Sequence, residues 1–434
     1  SIRNTYLSRV VDRFSLYISE EEFVPRWTNI TGSASRADSQ NSDSLGLGTG
    51  LTWETPYGTN FGLDLSTNQD FPNTSDTSST ATTTITATLE QPLLKGFGKE
   101  INTATLRQAR ISELQNKLEL KSSVSETITK LINAFFAYEG KKWSLEIALR
   151  SLKRNEKLLH NNKLLVKAGH MASDELTQTE LSVSNSEIEV KDAENSLNNA
   201  RLELLNLLSL DPDLKLITSM ERNPTQLKID LDQAKKKAYK SNPYYLSQRM
   251  AIESAMLGLR LARDNLRWEL DLVGNYAMAG SGSSIGNSVS NMSDEPATWS
   301  VGLSLLIPLD MRDLRKEEVN AEVALEQAKL NLQEARENLD STVRNAVVEV
   351  ENSWQRLLIS RRSLELAHRT LKTEIKKLSV GKSSSFEVLA RQLSLREAES
   401  TELNAVIAYH NSLAAMDEIL GTTLDTWQIT LNDN

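Results

Sequence analysis

The stretch WSVGLSLLIPLD, residues 299–310, alternates apolar and small polar side chains with a period of two. Thr298, Ser300, Gly302 and Ser304 flank or separate the apolar positions, which are Trp299, Val301, Leu303, Leu305, Ile307 and Leu309. This alternation predicts a strand over 298–309 with two unlike faces. We predict that this strand pairs with a second strand over 269–279 and that the loop 280–297 connects the two.

A second group of strands is predicted between about residues 22 and 91. Two alternating runs flank the turn Pro56-Tyr57-Gly58, and a third lies in TTTITATLEQPLL. Their apolar members are Leu45, Leu47, Leu51 and Trp53, then Phe61, Leu63 and Leu65, then Ile85, Ala87 and Leu89. Four to six strands in two separated clusters are stable only if both clusters join one sheet. The segment 37–78 is longer than the loop 280–297, and we expect it to form an additional hairpin.

Long helical segments fill most of the remaining chain. We predict a helix over residues 1–20, a helical hairpin over about 98–208, a helix over about 244–268 and a second hairpin over 312–420. The tips lie near Gly169 and Gly381, because glycine takes the positive φ that ends a helix. Residues Ser383–Ser385 can cap the helix after Gly381. A seam of residues at steps of 3 and 4 from Ala328 to Leu378 also fits an ordinary coiled-coil hairpin.

The order of helix, strands and helical hairpin occurs twice, which predicts an internal two-fold repeat. The first repeat covers residues 1–210, and the second covers 244–425. Between them, residues 211–243 form a break region in which Asp211-Pro212, Asn223-Pro224 and Asn242-Pro243 interrupt the helices. Residues 426–434 form a C-terminal tail.

Composition excludes several classes of function. The chain has 434 residues and a net charge of −9, and its basic residues form no long run, so nucleic acid is not a predicted partner. Cysteine is absent, which excludes disulfides and thiolate metal sites. The sequence contains no apolar run of 18 residues, so no transmembrane helix is predicted. A closed β-barrel, in contrast, spans a membrane with strands of weak hydrophobicity. The start has no apolar segment of signal type, so we expect any signal peptide to have been removed.

The two-faced strands fit two architectures. A soluble sandwich would bury the apolar face, whereas a membrane barrel would turn it to lipid and line a wet lumen with the polar face. The interfacial position typical of tryptophan in membrane barrels favours the second architecture. The tryptophans at or near predicted strand ends are Trp27, Trp53, Trp268 and Trp299.

In its order of segments and its duplication, the chain resembles the TolC-like outer membrane efflux proteins over about residues 1–425. The segments that carry the resemblance are LEQPLLKGFG, SNPYYLSQRMAIESAMLGLRLARDNL, LLNLLSLDP and the two glycine-containing hairpin tips. The resemblance implies an α+β membrane protein: a trimeric outer membrane β-barrel with about four strands per protomer, continued by a long periplasmic α-helical barrel. It implies export of small molecules or proteins from an inner membrane transporter, through a periplasmic adaptor, across the outer membrane of a Gram-negative bacterium.

The resemblance also implies a gate of acidic side chains near the hairpin tips. The gate candidates by position are Glu387, Glu175 and Asp174, and the candidates for adaptor contact are Gly169, Gly381 and Ser383. A ring of Glu387 carboxylates would repel anions and make closure sensitive to pH. The resemblance also implies a second acidic residue one turn after Glu387, where this chain has Ala390. It implies a basic residue just after Gly381, where we read Ser383. Glu387 and Glu175 equally fit solvated carboxylates in a first helical turn, where the helix dipole favours them.

No enzymatic activity, cofactor or metal site is predicted. The histidines at positions 160, 170, 368 and 410 are scattered, and Lys95-Gly96-Phe97-Gly98-Lys99 lacks the frame of a phosphate loop. The serines near Gly381 have no neighbouring histidine that would activate a nucleophile. Two alternatives to the channel remain: a periplasmic adaptor, which would carry only one helical hairpin, and a soluble coiled-coil scaffold, which leaves the strands unexplained.

Overall fold

The computed structural model describes residues 2–28, 30–37, 42–72, 78–169, 173–220 and 222–431. Its α-helices are α1 (Ile2–Glu20), α2 (Lys99–Asn102), α3 (Ala104–Lys167), α4 (Ser173–Leu207), α5 (Leu231–Ser241), α6 (Pro243–Asn265), α7 (Ile285–Ser290), α8 (Arg312–Ser379), α9 (Ser385–Leu420) and α10 (Thr423–Thr426). Its strands are β1 (Arg26–Trp27), β2 (Thr31–Ala37), β3 (Ser42–Glu54), β4 (Asn60–Pro72), β5 (Thr80–Pro92), β6 (Glu269–Gly282) and β7 (Thr298–Leu306). Short 3₁₀ turns cover Glu21–Phe23 and Asn291–Ser293.

The chain folds into two compact units, and each unit uses segments from both halves of the sequence. One unit combines residues 119–246 with the described residues from 334 onward. The other combines residues 3–118 with 247–333 and contains the sheet. Helices α3 and α8 contribute residues to both units.

All the described strands belong to one antiparallel sheet, in which β3, β4, β5, β6 and β7 follow one another. β1 and β2 both pair with β3, at Arg26↔Thr52 and at Thr31↔Gly48, so they occupy one strand position in succession. β5 and β6 pair from Ala81↔Gly282 to Pro92↔Asp271. The prediction that both strand clusters join one sheet is therefore confirmed.

The sheet contains more strands than the about four per protomer that the resemblance implies for a barrel. Within the described residues the sheet has seven strands in six positions, because the segment between β2 and β5 lies inside the sheet. β3 and β4 form a hairpin around Pro56-Tyr57-Gly58 and pair over their full length, from Ser42↔Pro72 to Glu54↔Asn60. The expected extra hairpin thus exists, and it is part of the sheet. Residues 38–41 and 73–77 of the segment 37–78 lie outside the described residues.

Two further strand boundaries differ from the prediction. β7 ends at Leu306 instead of residue 309, because Pro308 has no N–H group for the ladder, and Leu309 is 99% exposed. The predicted loop 280–297 contains helix α7, which packs on β5 and β6. The hydroxyls of Ser288 and Thr83 lie 2.7 Å apart and are buried, and a Cβ at Gly280 would lie 2.7 Å from the backbone nitrogen of Met292. Glycine is therefore required where α7 approaches the sheet.

The two helix reversals lie at the glycines that were predicted to make them. Gly169 and Gly381 have φ values of +73° and +71°, which L-residues rarely adopt. The Ser384 hydroxyl caps α9 by accepting a hydrogen bond from the Glu387 backbone N–H. Both roles were predicted from the sequence and are confirmed.

The core of the helical unit lies on the predicted seam of α8. Leu357, Val343 and Val350 of this seam are almost fully buried, and they pack in one cluster with Tyr409 of α9 and Ala238 of α5. The small side chain of Ala238 lets the break region lie close to the long helices. Among the described residues, the helices include none that combines the length and the apolarity needed to cross a bilayer.

Candidate functional site

One face of the sheet is apolar and exposed. Because antiparallel register places paired residues on the same face, the apolar positions of neighbouring strands form continuous rows. One such row runs through Leu51, Leu63, Ala87, Tyr276 and Trp299. Trp299 of the edge strand β7 is 76% exposed, and Leu63 is 48% exposed although its strand β4 is paired on both sides. An apolar patch across five strands requires a partner other than water.

The opposite face is built from small and acidic residues. Its small and amide-bearing members include Gly46, Gly48, Gly50, Ser66, Asn68, Thr82, Thr84, Thr86, Asn275, Ser300 and Ser304. On this face the described strands β3–β7 carry carboxylates and no lysine or arginine; the acidic residues are Glu54, Asp64, Asp70, Glu90, Glu269 and Asp271. Lys95, just after β5, lies 3.3 Å from Glu269. This face suits water and cations.

The sheet has two open edges within the described residues. β7 pairs with β6 on one side, and all nine of its residues are exposed. β1 and β2 pair with β3 and form the other edge. Unpaired N–H and C=O groups along such edges are a template for another strand.

The gate candidates lie in the first turns of the helices that follow the two reversals. Glu387 is half-exposed, and its carboxylate lies 3.4 Å from the guanidinium of Arg391, one turn later on α9. Glu175 is half-buried in α4, where its backbone carbonyl accepts a hydrogen bond from the Thr179 hydroxyl. The side chain of Asp174 lies outside the described part of the chain.

The residues around Gly381 form a small polar cluster that the sequence did not reveal. The Ser383 hydroxyl donates a 2.6 Å hydrogen bond to Glu374 near the end of α8, and the Lys377 ammonium lies 3.0 Å from the same carboxyl group. The Ser383 hydrogen bond, followed by Lys377, lowers the pKa of Glu374 below its ordinary value. Lys382 directly follows Gly381, so the expectation that the basic residue is missing there is wrong.

Polar side chains connect the first helical hairpin to α9. Asn162, fully buried in α3, donates a hydrogen bond to Thr179 of α4 and accepts one from Ser385 of α9. The signal for this link in the sequence is weak, because Asn162 stands in the run HNNKLL, which has no motif spacing. The link holds three helices together close to the reversals, because a buried amide is costly when its partners are removed.

Two ion pairs extend this connection along α9. Arg396 pairs with Glu189 of α4. Arg154 of α3 lies 3.3 Å from Glu399 of α9, whose side chain is 7% exposed. Breaking one partner of such a buried pair leaves an uncompensated charge. Together with Asn162, these pairs make the helix bundle resistant to separation of its hairpins.

The described residues contain no group of histidine and acidic side chains suited to a metal ion. His410 stacks on Phe136 with ring centroids 4.5 Å apart, as a structural residue does. His170 lies outside the described residues.

Comparison with known proteins bears on what this arrangement does. Residues 235–422 match the family model of the outer membrane efflux proteins. No curated protein sequence matches the chain. Proteins of the matched family are channels and not enzymes, so the prediction of no catalysis is confirmed.

Solved outer membrane channels share the fold. The open state of the MtrE outer membrane channel of Neisseria gonorrhoeae aligns with a TM-score of 0.71 at 15% identity, covering 98% of this chain and 86% of that one. The CmeC outer membrane channel of Campylobacter jejuni aligns at 0.68 with 13% identity, covering 98% and 85%. The outer membrane protein VceC of Vibrio cholerae aligns at 0.67 with 12% identity, covering 96% and 92%. The resemblance predicted from the sequence is thus confirmed: residues 235–422 match the model of the outer membrane efflux protein family, and nearly the whole chain shares the fold of solved outer membrane channels.

Proposed function

We propose that the chain is one protomer of an outer membrane channel that exports small molecules or proteins. The observation that carries the proposal is the sheet with one exposed apolar face and one face of glycine, serine, threonine and carboxylates. Lipid covers the first face and water the second only if the sheet closes on itself. One chain leaves two edges open, so closure needs further copies. The soluble coiled-coil and adaptor alternatives leave the apolar face in water and are not favoured.

The assembly we propose is a homotrimer in the outer membrane of a Gram-negative bacterium. Its sheets close into one barrel, and its helical hairpins continue this barrel as a tunnel into the periplasm. Each chain contributes two structural repeats, residues 1–210 and 244–425, joined by the break region 211–243. A periplasmic adaptor and an inner membrane transporter deliver the substrate, and residues near Gly169, Gly381 and Ser383 contact the adaptor.

The proposed gate lies at the helix reversals. Glu387, with Glu175 and Asp174 as further members, forms an acidic ring when three copies meet. The negative ring favours cations and narrows the tunnel. The Glu387–Arg391 contact supports this role because it holds the carboxylate in one orientation within the first turn of α9.

Fractionation and bilayer recording test the function. We expect the protein in the outer membrane as trimers that require detergent and dissociate on heating, and we expect purified trimers to conduct ions. A monomer or dimer that is soluble in buffer would contradict the proposal.

The gate has its own test in the Glu387→Ala variant. We expect higher conductance and a weaker cation preference than in the wild type, because the ring loses three charges. Glu365→Ala is the matched control, since Glu365 also pairs with an arginine one turn later on an exposed helix surface. Equal conductance and selectivity in all three proteins would exclude Glu387 from the gate.

A further inference from the structure

The geometry points to a barrel of eighteen strands, six positions from each of three copies, in which β7 of one copy pairs with the β1–β2 edge of the next. This inference deepens the proposed function and rests on it. Barrel size sets which molecules pass the outer membrane section, so the added strands determine the width of this channel.

The first argument is that the hairpin β3–β4 cannot lie outside the wall. β4 pairs with β3 over the full length of both strands and with β5 from Asn60↔Glu90 to Asp70↔Thr80. It therefore has ladder neighbours on both sides. Removing the hairpin from the wall would break one of these ladders and leave its backbone groups without partners.

The second argument comes from the faces of the hairpin. Leu45 and Leu47 of β3 and Leu63 and Leu65 of β4 are 42–49% exposed, on the same face as Trp299. The opposite face of both strands is small and polar, as it is in β5 and β7. A hairpin projecting into water would have no reason to carry this pattern, whereas a wall strand between lipid and lumen requires it.

The third argument is the parity of the strand positions. Successive positions run in opposite directions, from the β1–β2 position through β3, β4, β5 and β6 to β7. With six positions, the first and the last are antiparallel to each other, so identical copies close into a ring of antiparallel strands. The exposed edge of β7 and the edge formed by β1 and β2 are the two surfaces that this closure uses.

The size of the pore follows from the strand count. At a strand spacing of about 4.8 Å and a tilt of about 40°, the backbone diameter is about 24 Å for twelve strands and about 36 Å for eighteen. The cross-section inside the backbone is then roughly twofold larger. A channel of this width passes solutes that a twelve-stranded wall excludes.

Disulfide cross-linking distinguishes the two walls, and the chain has no cysteine that would interfere. One set of variants pairs a cysteine at Val301 or Leu303 of β7 with one at Gly32 or Ala34 of β2. A matched set pairs Gly32 or Ala34 of β2 with Ile85 or Ala87 of β5, the two strands that would become neighbours if the hairpin left the wall. All these positions lie on one face of the sheet, as a disulfide between neighbouring strands requires.

We expect oxidised β7–β2 pairs to give covalent dimers and trimers from trimeric channels, and β2–β5 pairs to form no disulfide, because β3 and β4 separate these strands. A disulfide between β2 and β5, or the absence of cross-links between β7 and β2 in trimers that conduct ions, would overturn the eighteen-stranded wall. Wild-type protein that forms neither trimers nor channels would instead overturn the proposed function. Partitioning of neutral polymers into the outer side of the open channel gives the second measurement, with a cut-off near the wider diameter expected.

Discussion

Replacing Gly421 with alanine tests how the break region is held against the long helices. Gly421 ends α9 with a φ of +72°, and its Cα faces the end of α5. A Cβ there would overlap the carbonyl oxygen of Ser241, lie 2.6 Å from its carbonyl carbon and lie 3.0 Å from the Cα of Asn242. All three atoms belong to the backbone, so no rotamer change relieves the overlap.

Two costs add in this variant. The left-handed backbone conformation costs an alanine about 1–2 kcal/mol. The overlap forces the α5–α6 junction away from α9, which by comparison with overpacked cores costs about 1–3 kcal/mol more. We therefore expect Gly421→Ala to lower the free energy of unfolding by about 2–5 kcal/mol.

Gly381→Ala is the matched control. Gly381 has nearly the same φ, +71°, but a Cβ there meets no atom within 4 Å. This variant bears only the backbone cost, so its melting temperature in detergent should lie several degrees above that of Gly421→Ala, at about 2–4 °C per kcal/mol. Equal melting temperatures for the two variants would refute the reasoning, because they would show that the contact with Ser241 adds nothing to the conformational cost.

Two further predictions concern hydrogen bonds in the helical unit. The buried Tyr409 hydroxyl donates a hydrogen bond to the carbonyl of Thr225 and accepts one from the Leu227 backbone amide. Tyr409→Phe should therefore lower the free energy of unfolding by about 1–3 kcal/mol, as measured by thermal unfolding. An unchanged melting temperature would show that other groups satisfy the backbone there. The hydrogen bond between Ser383 and ionised Glu374 is fully present above pH 4.5, the ordinary pKa of a glutamate, and is lost as the pH falls through the lowered pKa of Glu374. A spin label at Val380 should therefore gain mobility on acidification. Glu374→Gln should abolish this pH dependence, and a label that responds equally in both proteins would contradict the assignment.

The sequence predicted the parts of the fold that local chemistry decides. Alternation of apolar and small residues predicted β3 to β7, and glycine at positions 169 and 381 predicted the reversals, because few other residues take a positive φ. β2 was not predicted as a separate strand, since TGSASRA has no apolar alternation and becomes a strand only by pairing with β3. The alternation alone could not place the β3–β4 hairpin between β2 and β5, because it does not show which strands pair.

The polar links between helices were beyond sequence reasoning for a different reason. The long helices α3, α4, α8 and α9 all carry asparagine, serine and charged residues, and the sequence does not show which of them face a neighbour. Asn162 and Ser385 are far apart in the chain, and only the packing of α3 against α9 brings them within 3.1 Å. The gate candidates were predicted from their positions after Gly169 and Gly381. The structure places Glu374 close to the second of these reversals, where it accepts a hydrogen bond from Ser383, a residue that was predicted to contact an adaptor.

The number of strands in the wall also determines how strongly the gate controls the conductance of the channel. The proposed wall of eighteen strands, lined by glycine, serine and threonine, would be too wide to limit ion flow, so the resistance of the proposed channel would lie in its helical part. A substitution in the sheet, such as Glu90→Gln in β5, should then alter cation preference at most slightly, whereas Glu387→Ala should change both conductance and selectivity. A twelve-stranded wall would bring the carboxylates of β5 and β6 on the polar face closer together around the lumen and make Glu90 as influential as Glu387. Recording both variants under the same salt gradient therefore tests the width of the wall through its electrical effect, independently of cross-linking.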